Sequence, residues 1–251
     1  MDKKNNVYLE QFKKIPFYQL HPSYIPFVGD NYEKYRILQI SESHYCEEIT
    51  DRNKYGIPYF VDWFTSDSDD IETKYLDHDL TRKVCNGVME NNSFANFDNP
   101  LRSFCEVVLG LGKLSMNKGN QNRKYYSYFS FMNFYQVPAL ENKAPFKKAF
   151  YKEAENKKIE NPDEIITKWR RESVELIDQV IDILKPRAVA FTSVDAWESY
   201  DNLNGKHKDS PNIIRSAHPN RPWNNSQPKL NGKTGKAAFE DGLRRIYSSK
   251  Q

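Results

Sequence analysis

The chain changes character within Arg36–Tyr45, a stretch with the sequence RILQISESHY. Residues 36–40 are mostly apolar and include β-branched side chains, which predicts a buried strand that ends at Ile40. The next residues, Ser41 to Tyr45, are polar or titratable and predict a turn. Open α/β sheets bind their ligands in the crevice at the carboxyl ends of the strands. We therefore expect a functional site to form around this turn.

The remaining elements predict an α/β fold, in which helices cover both faces of a mostly parallel sheet. Further strands are expected at 125–133, 188–192 and 212–216. Helices are expected at 7–14, 80–89, 101–111, 161–185, 194–200 and 236–247. Neither an internal repeat nor a linker is visible, which predicts one three-layer α/β/α domain over residues 1–251. Within it, residues 1–34 form an N-terminal wrapping segment and residues 46–79 form a long insertion loop.

Three of the helices carry sequence signals for their first turn. Asn161 is expected to cap the longest helix, because Pro162 follows it at the first helical position. Asn99 is expected to cap the helix at 101–111 for the same reason, and Ser193 the helix at 194–200.

Charge is unevenly distributed along the chain. Residues 205–251 contain ten Lys and Arg against three Asp and Glu, a net +7, which leaves −4 for residues 1–204 because the whole chain carries +3. A basic segment fits a polyanionic partner, although a solvated face that binds nothing has the same composition. The acidic stretch at 62–79 matches no calcium-binding loop and is interpreted as a solvated loop, so no metal or cofactor is expected.

Composition also bears on the compartment. The three cysteines are odd in number and show no C-x-x-C spacing, which suits a reducing cytoplasm and disfavours a structural metal site. No apolar run reaches the length of a membrane span, and the N-terminus lacks an apolar signal core. We expect a cytoplasmic monomer without a membrane partner.

Polar side chains are expected at the ends of four predicted strands. They are the run Glu42–Tyr45, Asn133, Ser193 and His218. Each of these residues alone is typical of a turn or a helix cap. Their combination at one edge of a sheet indicates a binding or catalytic site.

These motifs resemble, in their order along the chain, those of the uracil-DNA glycosylase superfamily. Residues 41–45 resemble its Gly-Gln/Glu-x-Pro-Tyr/Gly turn, and residues 129–133 resemble its apolar strand ending in Asn. Residues 218–222 resemble its His-Pro-Ser-Pro motif. Residues 56–59 are similar to the segment that supplies a stacking aromatic, and residues 185–192 to its third strand. The resemblance implies a uracil-DNA glycosylase-like fold.

The resemblance also implies an activity, hydrolysis of the N-glycosidic bond of a flipped-out base in DNA, which leaves an abasic site. Negative charge grows on the departing base while the sugar becomes oxocarbenium-like. Asn133 would read the edge of the base, and His218 would donate a hydrogen bond to the base oxygen. Tyr45 or Tyr59 would stack on the face of the base.

The full set of expected site residues is larger. The catalytic group comprises Glu42, Ser43, His44 and His218. The DNA-contacting group comprises Arg215, Asn220, Arg221, Trp223, Lys229, Lys233 and Lys236. In the second group, Arg221 or Trp223 is expected to fill the gap left by the flipped nucleotide, and the basic side chains are expected to bind phosphates.

The chain departs from the family pattern at Ser43, where the most active members have an Asp that positions or activates water. Serine is a poor base, so Glu42 or His44 is expected to substitute for the Asp. The structural alternatives are that Glu42 only orients the turn and that Tyr45 and Trp223 are core aromatics. The changed turn and the insertion favour a modified pyrimidine as the target, such as the glucosylated hydroxymethylcytosine of phage DNA.

Two other functions fit parts of the sequence. The first is a nucleic-acid-binding protein without catalytic activity on the same fold. The second is a small-molecule hydrolase that uses Ser43 with His44 or His218, although no G-x-S-x-G sequence surrounds Ser43.

Overall fold

The computed structural model describes residues 3–45, 56–66, 81, 85, 95–112, 121–139, 141 and 144–248. Within these residues, five strands form one sheet. The strands are β1 (Phe27–Val28), β2 (Ile37–Tyr45), β3 (Phe129–Ala139), β4 (Ala188–Phe191) and β5 (Ile213–Arg215). Their spatial order is β1-β3-β2-β4-β5, and every neighbouring pair is parallel except β1 with β3. The predicted mixed α/β class with a mostly parallel sheet is confirmed.

The helices follow the apolar periodicity of the sequence. They are α1 (Lys3–Phe12), α2 (Pro16–Leu20), α3 (Tyr32–Tyr35), α4 (Ile57–Phe60), α5 (Ala95–Val107), α6 (Phe146–Lys157), α7 (Pro162–Leu184), α8 (Val194–Asn202) and α9 (Gly235–Tyr247). Short 3-10 turns occur at Pro22–Tyr24, Gln121–Tyr128, Arg221–Asn224 and Pro228–Leu230. None of the described helices is long and apolar enough to cross a membrane.

Helix capping agrees with the sequence at α8 but not at α5 or α7. The Ser193 hydroxyl accepts a hydrogen bond from the Ala196 N–H at 3.3 Å, as predicted. Helix α7 begins at Pro162 with Asn161 at its N-cap position, as predicted, but the Asn161 side chain makes no capping bond and its backbone is left-handed with φ of 51°. Helix α5 begins at Ala95, so Asn99 and Pro100 lie inside the helix and do not start it. Pro100 is the sixth residue of α5 and interrupts the hydrogen bonds inside the helix, so packing of Leu101 and Phe104 in the core outweighs the local signal.

Strands β2 and β4 separate beyond their last pair, and we call this gap the opening between β2 and β4. At this point β2 continues as a strand, where the sequence predicted a turn. Strand β2 pairs with β4 only as far as Ile40 opposite Phe191, but it pairs with β3 as far as Tyr45 opposite Ala139. The prediction that β2 ends at Ile40 was therefore wrong. The longer β3 supplies hydrogen-bonding partners for the polar half of β2, and long-range pairing outweighs the local turn signal.

Strand β3 is also displaced from its prediction. It was expected over 125–133, but residues 121–128 form a 3-10 segment and the strand runs from Phe129 to Ala139. Asn133 is thus within β3 and stands opposite Ser41 of β2. Ser41 is the first residue of β2 beyond its last pair with β4. Asn133 still lies at the opening between β2 and β4. This is the point at which the chain order of the parallel strands reverses, where α/β sheets bind ligands.

Each face of the sheet is covered by its own apolar core. Helices α6, α7 and α8 pack on one face, together with Leu38, Met132 and Val189. Helices α5 and α9 pack on the other face, where Phe131 and Ile214 contribute. Burying one such side chain contributes roughly 1.5–3 kcal/mol, so these two cores fix the strands that carry the polar edge.

The N-terminal segment packs against residues 56–66. The His21 ring stacks on Trp63 with ring centroids 3.9 Å apart, and its Nε2 lies 2.6 Å from the Trp63 carbonyl oxygen. This part of the predicted insertion loop contains α4 and is held by core contacts. The rest of the predicted loop, together with Cys46, lies outside the described residues. Of the predicted helix at 80–89, the structure describes Thr81 and Cys85, both helical.

Candidate functional site

A row of neutral hydrogen-bonding side chains lies at the opening between β2 and β4. We define this neutral row as Ser41, Asn133, Thr192 and Ser216. Ser41 is the cross-strand neighbour of Asn133, and its Oγ lies 3.0 Å from Thr192 Oγ1. The Thr192 N–H donates to the Ile40 carbonyl at 2.8 Å. The row therefore joins the ends of β2, β3 and β4 across the opening.

The neutral row belongs to the face of the sheet that α5 and α9 cover. Ile37 of β2 and Phe131 of β3 are buried in the core on that side, and the register of the two strands is regular from there to the pair Ser41 and Asn133. The Ser216 hydroxyl donates to the Gly235 carbonyl, the first residue of α9, at 2.9 Å. The Asn133 side chain is nearly buried, with 5% of the residue exposed. Its amide carries both a donor and an acceptor.

His218 reaches the same side of the sheet on the loop that follows β5. The next residue, Pro219, accepts a hydrogen bond at 2.7 Å from the Asn99 side chain of α5. Gly235 permits close packing below this loop, because a Cβ at that position would lie 2.9 Å from the Ala217 Cβ. Burial lowers the pKa of His218 below its ordinary value of 6.5. The imidazole is therefore neutral at neutral pH and presents one N–H donor.

The Glu42 side chain has other hydrogen-bond partners than the neutral row. Its Oε1 accepts a hydrogen bond from the Phe146 N–H at 2.8 Å, and its Oε2 accepts one from the Ser193 hydroxyl at 3.1 Å. These donors lie at the amino termini of α6 and α8, where a carboxylate is favoured. Burial raises the pKa of Glu42 above its ordinary value, and the hydrogen bond from Phe146 opposes that rise.

The contacts of Glu42 extend into a charged network, which we define as Glu42, Ser193, Asp195, Lys147 and Tyr135. Asp195 accepts a hydrogen bond from the Tyr135 hydroxyl at 2.8 Å and forms an ion pair with Lys147. The Tyr135 ring stacks on Phe146 with centroids 3.9 Å apart. These groups satisfy one another and tie α6 and α8 to β2 and β3. The geometry favours the orienting role for Glu42, and its catalytic role stays a prediction.

The other predicted residues of the first motif lie at the end of β2. Ser43 is half-buried and stands opposite Tyr135 in the register of β2 and β3. His44 and Tyr45 complete the strand, but their side chains lie outside the described part of the structure. Tyr59 lies in α4, half-buried against the core that covers the other face. Stacking of Tyr45 or Tyr59 on a base stays a prediction.

Trp223 is buried in the core beside the neutral row. It is 1% exposed, and its ring packs on Phe239 of α9 with centroids 5.5 Å apart. This packing favours the core alternative over insertion into DNA. Asn220, by contrast, is exposed. Arg221 lies in the 3-10 turn that contains Trp223, and its side chain is outside the described residues.

The basic side chains of the predicted DNA-contacting group have partners on the surface of the protein. The Arg215 guanidinium lies 4.0 Å from the centre of the Trp197 ring. Lys229 pairs with Glu198 and Lys233 with Asp241. Lys236 lies between two carboxylates, 3.8 Å from Glu106 and 3.5 Å from Glu240.

The predicted site residues did not include four residues of this region, which are Ser41, Asn99, Thr192 and Ser216. Ser41 belonged to the quoted polar run, and its position beside Asn133 follows once the strand register is known. The contact of Asn99 with the loop of His218 joins residues 120 positions apart, and no local signal indicates it. Among the described residues, no group of three or more His, Cys, Asp and Glu is placed to hold a metal ion.

Comparison with known proteins returned no relative: no family model, no curated protein and no solved structure matches the chain.

Proposed function

We propose that the protein is a DNA glycosylase that hydrolyses the N-glycosidic bond of a flipped-out, modified pyrimidine and leaves an abasic site. One observation carries the proposal: Asn133, Ser41 and Thr192 form a neutral row at the topological switch point, and the half-buried His218 lies on the same side of the sheet. The order of the motifs along the sequence supports the same activity.

Binding begins with extrusion of the target base into the opening between β2 and β4. The Asn133 amide donates to and accepts from the edge of the base, and its near-complete burial holds it in one orientation. A pyrimidine edge is itself uncharged and offers both donors and acceptors. A neutral row therefore matches it without the cost of burying an unpaired charge.

Bond cleavage places negative charge on the departing base. The neutral imidazole of His218 donates a hydrogen bond to a base oxygen, and this bond strengthens as the charge develops. The electrons of the N-glycosidic bond leave with the base, and the sugar becomes an oxocarbenium-like cation. Water adds to the anomeric carbon, and the proton it loses ends in solvent.

Activation of that water is the step in which this chain differs from the family pattern. Ser43 replaces the Asp, and the carboxylate of Glu42 is occupied by the Phe146 N–H and the Ser193 hydroxyl. The proposed mechanism therefore depends on stabilisation of the leaving base and less on a general base. An oxocarbenium-like cation is electrophilic enough to capture a weakly activated water.

An alkali-cleavage assay on defined DNAs tests the activity. The panel contains uracil, cytosine, hydroxymethylcytosine and glucosylated hydroxymethylcytosine in the same sequence, each single- and double-stranded. We expect abasic sites with a modified pyrimidine, and glucosylated hydroxymethylcytosine is the first candidate. Absence of abasic sites with every substrate would contradict the proposal.

The basic side chains around β5 favour a second candidate function, nucleic-acid binding without catalysis. It predicts DNA affinity that falls with salt, but no abasic product from any substrate. The Ser43 hydrolase alternative stays a prediction, and a fluorophosphonate probe tests it by labelling or failing to label Ser43.

A further inference from the structure

A basic groove runs along β5, the last strand of the sheet. It has a volume of about 650 Å³ and lies between residues 208–211, the turn Pro228–Leu230 and α9. Ile213, Ile214 and Leu230 contribute apolar surface to it. The basic residues that line it are Lys208, Arg215, Lys229, Lys233 and Arg245, and the acidic ones are Asp209 and Asp241. Cations therefore outnumber carboxylates in the lining.

The two arginines of the groove have their guanidinium groups held by contacts within the fold. The Arg215 guanidinium stacks on Trp197 at 4.0 Å, and within the described part of the chain it forms no ion pair with a carboxylate. Arg245 donates from Nη2 to the Ile213 carbonyl at 2.6 Å. These contacts orient both guanidinium groups before any ligand arrives, which lowers the entropy cost of binding.

Lys229 and Lys233, at the rim of the groove, form surface ion pairs. Lys229 is 61% exposed and pairs with Glu198, while Lys233 is 53% exposed and pairs with Asp241. Exposed pairs of this kind contribute about 0–1 kcal/mol each. A phosphate can therefore replace either carboxylate as the partner of the lysine at little cost.

We propose that this groove binds the phosphodiester backbone of the nucleic-acid strand that enters the active site. Arg215 precedes His218 by three residues, so at most about 11 Å of backbone separates them. That distance equals about three steps of a DNA strand, which rises 3.4 Å per nucleotide. Compared with the group expected from the sequence, the lining of the groove also contains Lys208 and Arg245. It does not contain Lys236, which lies between Glu106 and Glu240. The inference rests on the proposed nucleic-acid substrate but not on base release.

The test compares two double variants with the same change in charge. Lys229→Glu/Lys233→Glu alters the groove, whereas Lys13→Glu/Lys152→Glu alters exposed lysines that form surface ion pairs elsewhere, at 52% and 61% exposure. Binding of a fluorescent, unmodified 20-nucleotide DNA is followed by anisotropy over a range of salt concentrations. The groove variant should raise Kd at least tenfold and lower the slope of log K against log salt by about two. The control variant should stay within about threefold of the wild type.

Each outcome separates this inference from the proposed activity. Equal losses in both variants, or an unchanged Kd and slope in the groove variant, would overturn the groove assignment even if the protein releases bases. Loss of binding confined to the groove variant would support it even if no base is released. Inorganic tripolyphosphate serves as the competitor. If it displaces the labelled DNA at a far lower concentration than unlabelled 20-nucleotide DNA does, the groove is a site for free polyphosphate and the assignment is overturned.

A milder variant protects the test against misfolding. Arg215→Gln removes the charge over Trp197 and keeps a planar amide there. It should raise Kd about three- to tenfold and leave the thermal midpoint within a few degrees of the wild type. An unchanged Kd in Arg215→Gln with a normal circular dichroism spectrum would count against the groove.

Discussion

The neutral row and the charged network occupy the same edge of the sheet but use their polar atoms differently. Both begin on β2, where Ser41 enters the row and the next residue, Glu42, enters the network. Successive residues of a strand point to opposite faces, so one short polar run supplies both regions. In the network, Glu42 and Asp195 are occupied by donors from α6, α8, Lys147 and Tyr135.

The two regions differ in the charge of their polar side chains and in the donors that the fold supplies to them. Buried carboxylates are costly unless donors surround them, and the network supplies those donors from the protein itself. In the proposed activity, Asn133 of the neutral row and the neighbouring His218 bind a base that is also neutral until the reaction begins. Glu42, which the sequence placed in the catalytic group, is held by donors of the fold, and its catalytic role stays a prediction.

The largest effect is expected from Trp223, which anchors the loop that carries His218. Trp223→Ala should lower the free energy of unfolding by about 3–5 kcal/mol, because it empties a buried site against Phe239. Urea unfolding measures this change. Trp223→Phe is the control and should cost less, since part of the ring packing remains. A stable Trp223→Ala protein that fails only in DNA binding would restore the role of Trp223 as an inserted wedge.

A smaller effect is expected when the charged network loses its central carboxylate. Glu42→Ala should lower the free energy of unfolding by about 1–3 kcal/mol, because the buried Phe146 N–H loses its acceptor. Glu42→Gln retains an acceptor and should stay within about 1 kcal/mol of the wild type at pH 7.

The pH dependence of Glu42 gives a further check on the same pair of proteins. Because its pKa is raised on folding, the native state binds more protons than the unfolded state between the ordinary value of 4.5 and the raised value. The stability of the wild type relative to Glu42→Gln should therefore fall as pH rises through this window. An opposite trend would show that charged Glu42 stabilises the fold and that burial is not the main influence.

The smallest expected effect is the pH dependence of stability that His218 causes, and its sign is opposite to that of Glu42. Its pKa is lowered on folding, so the unfolded state binds more protons in the window below 6.5. The wild type should lose stability relative to His218→Asn as pH falls from 6.5 through the lowered value. Thermal unfolding measures the Tm of both proteins between about pH 5 and pH 8. The difference in Tm between wild type and His218→Asn should change by at most about 4 °C over this range. A difference that does not change with pH would contradict the neutral state of the imidazole.

Local sequence signals identified the elements whose partners lie close in the chain. Strands β4 and β5, the Ser193 cap and α7 follow from apolar periodicity and from residues within a few positions. The α/β class and the polar edge followed from the alternation of these elements.

Contacts between residues far apart in the chain determine the partners of Glu42 and the length of β2, which local sequence signals did not predict. The partner of Glu42 is 104 positions away, and the extension of β2 to Tyr45 depends on the length of β3. Residue type alone could not distinguish the two regions, because an anchoring carboxylate and a catalytic one look the same until their donors are known. Asn133 was expected to end its strand, but β3 continues to Ala139, and the role of Asn133 in a site stays a prediction.

Base release under single-turnover conditions tests the central claim most directly, that the neutral row and His218 carry the chemistry while the charged network carries the fold. The variants are His218→Ala, the isosteric Asn133→Asp and Glu42→Gln, each assayed on the preferred DNA of the panel with folding checked by circular dichroism. We expect His218→Ala and Asn133→Asp to slow base release by about 10²-fold or more, because each removes a hydrogen bond to the departing base. Glu42→Gln should stay within about threefold of the wild type. Full activity in His218→Ala and Asn133→Asp, together with loss of activity in Glu42→Gln, would contradict the account.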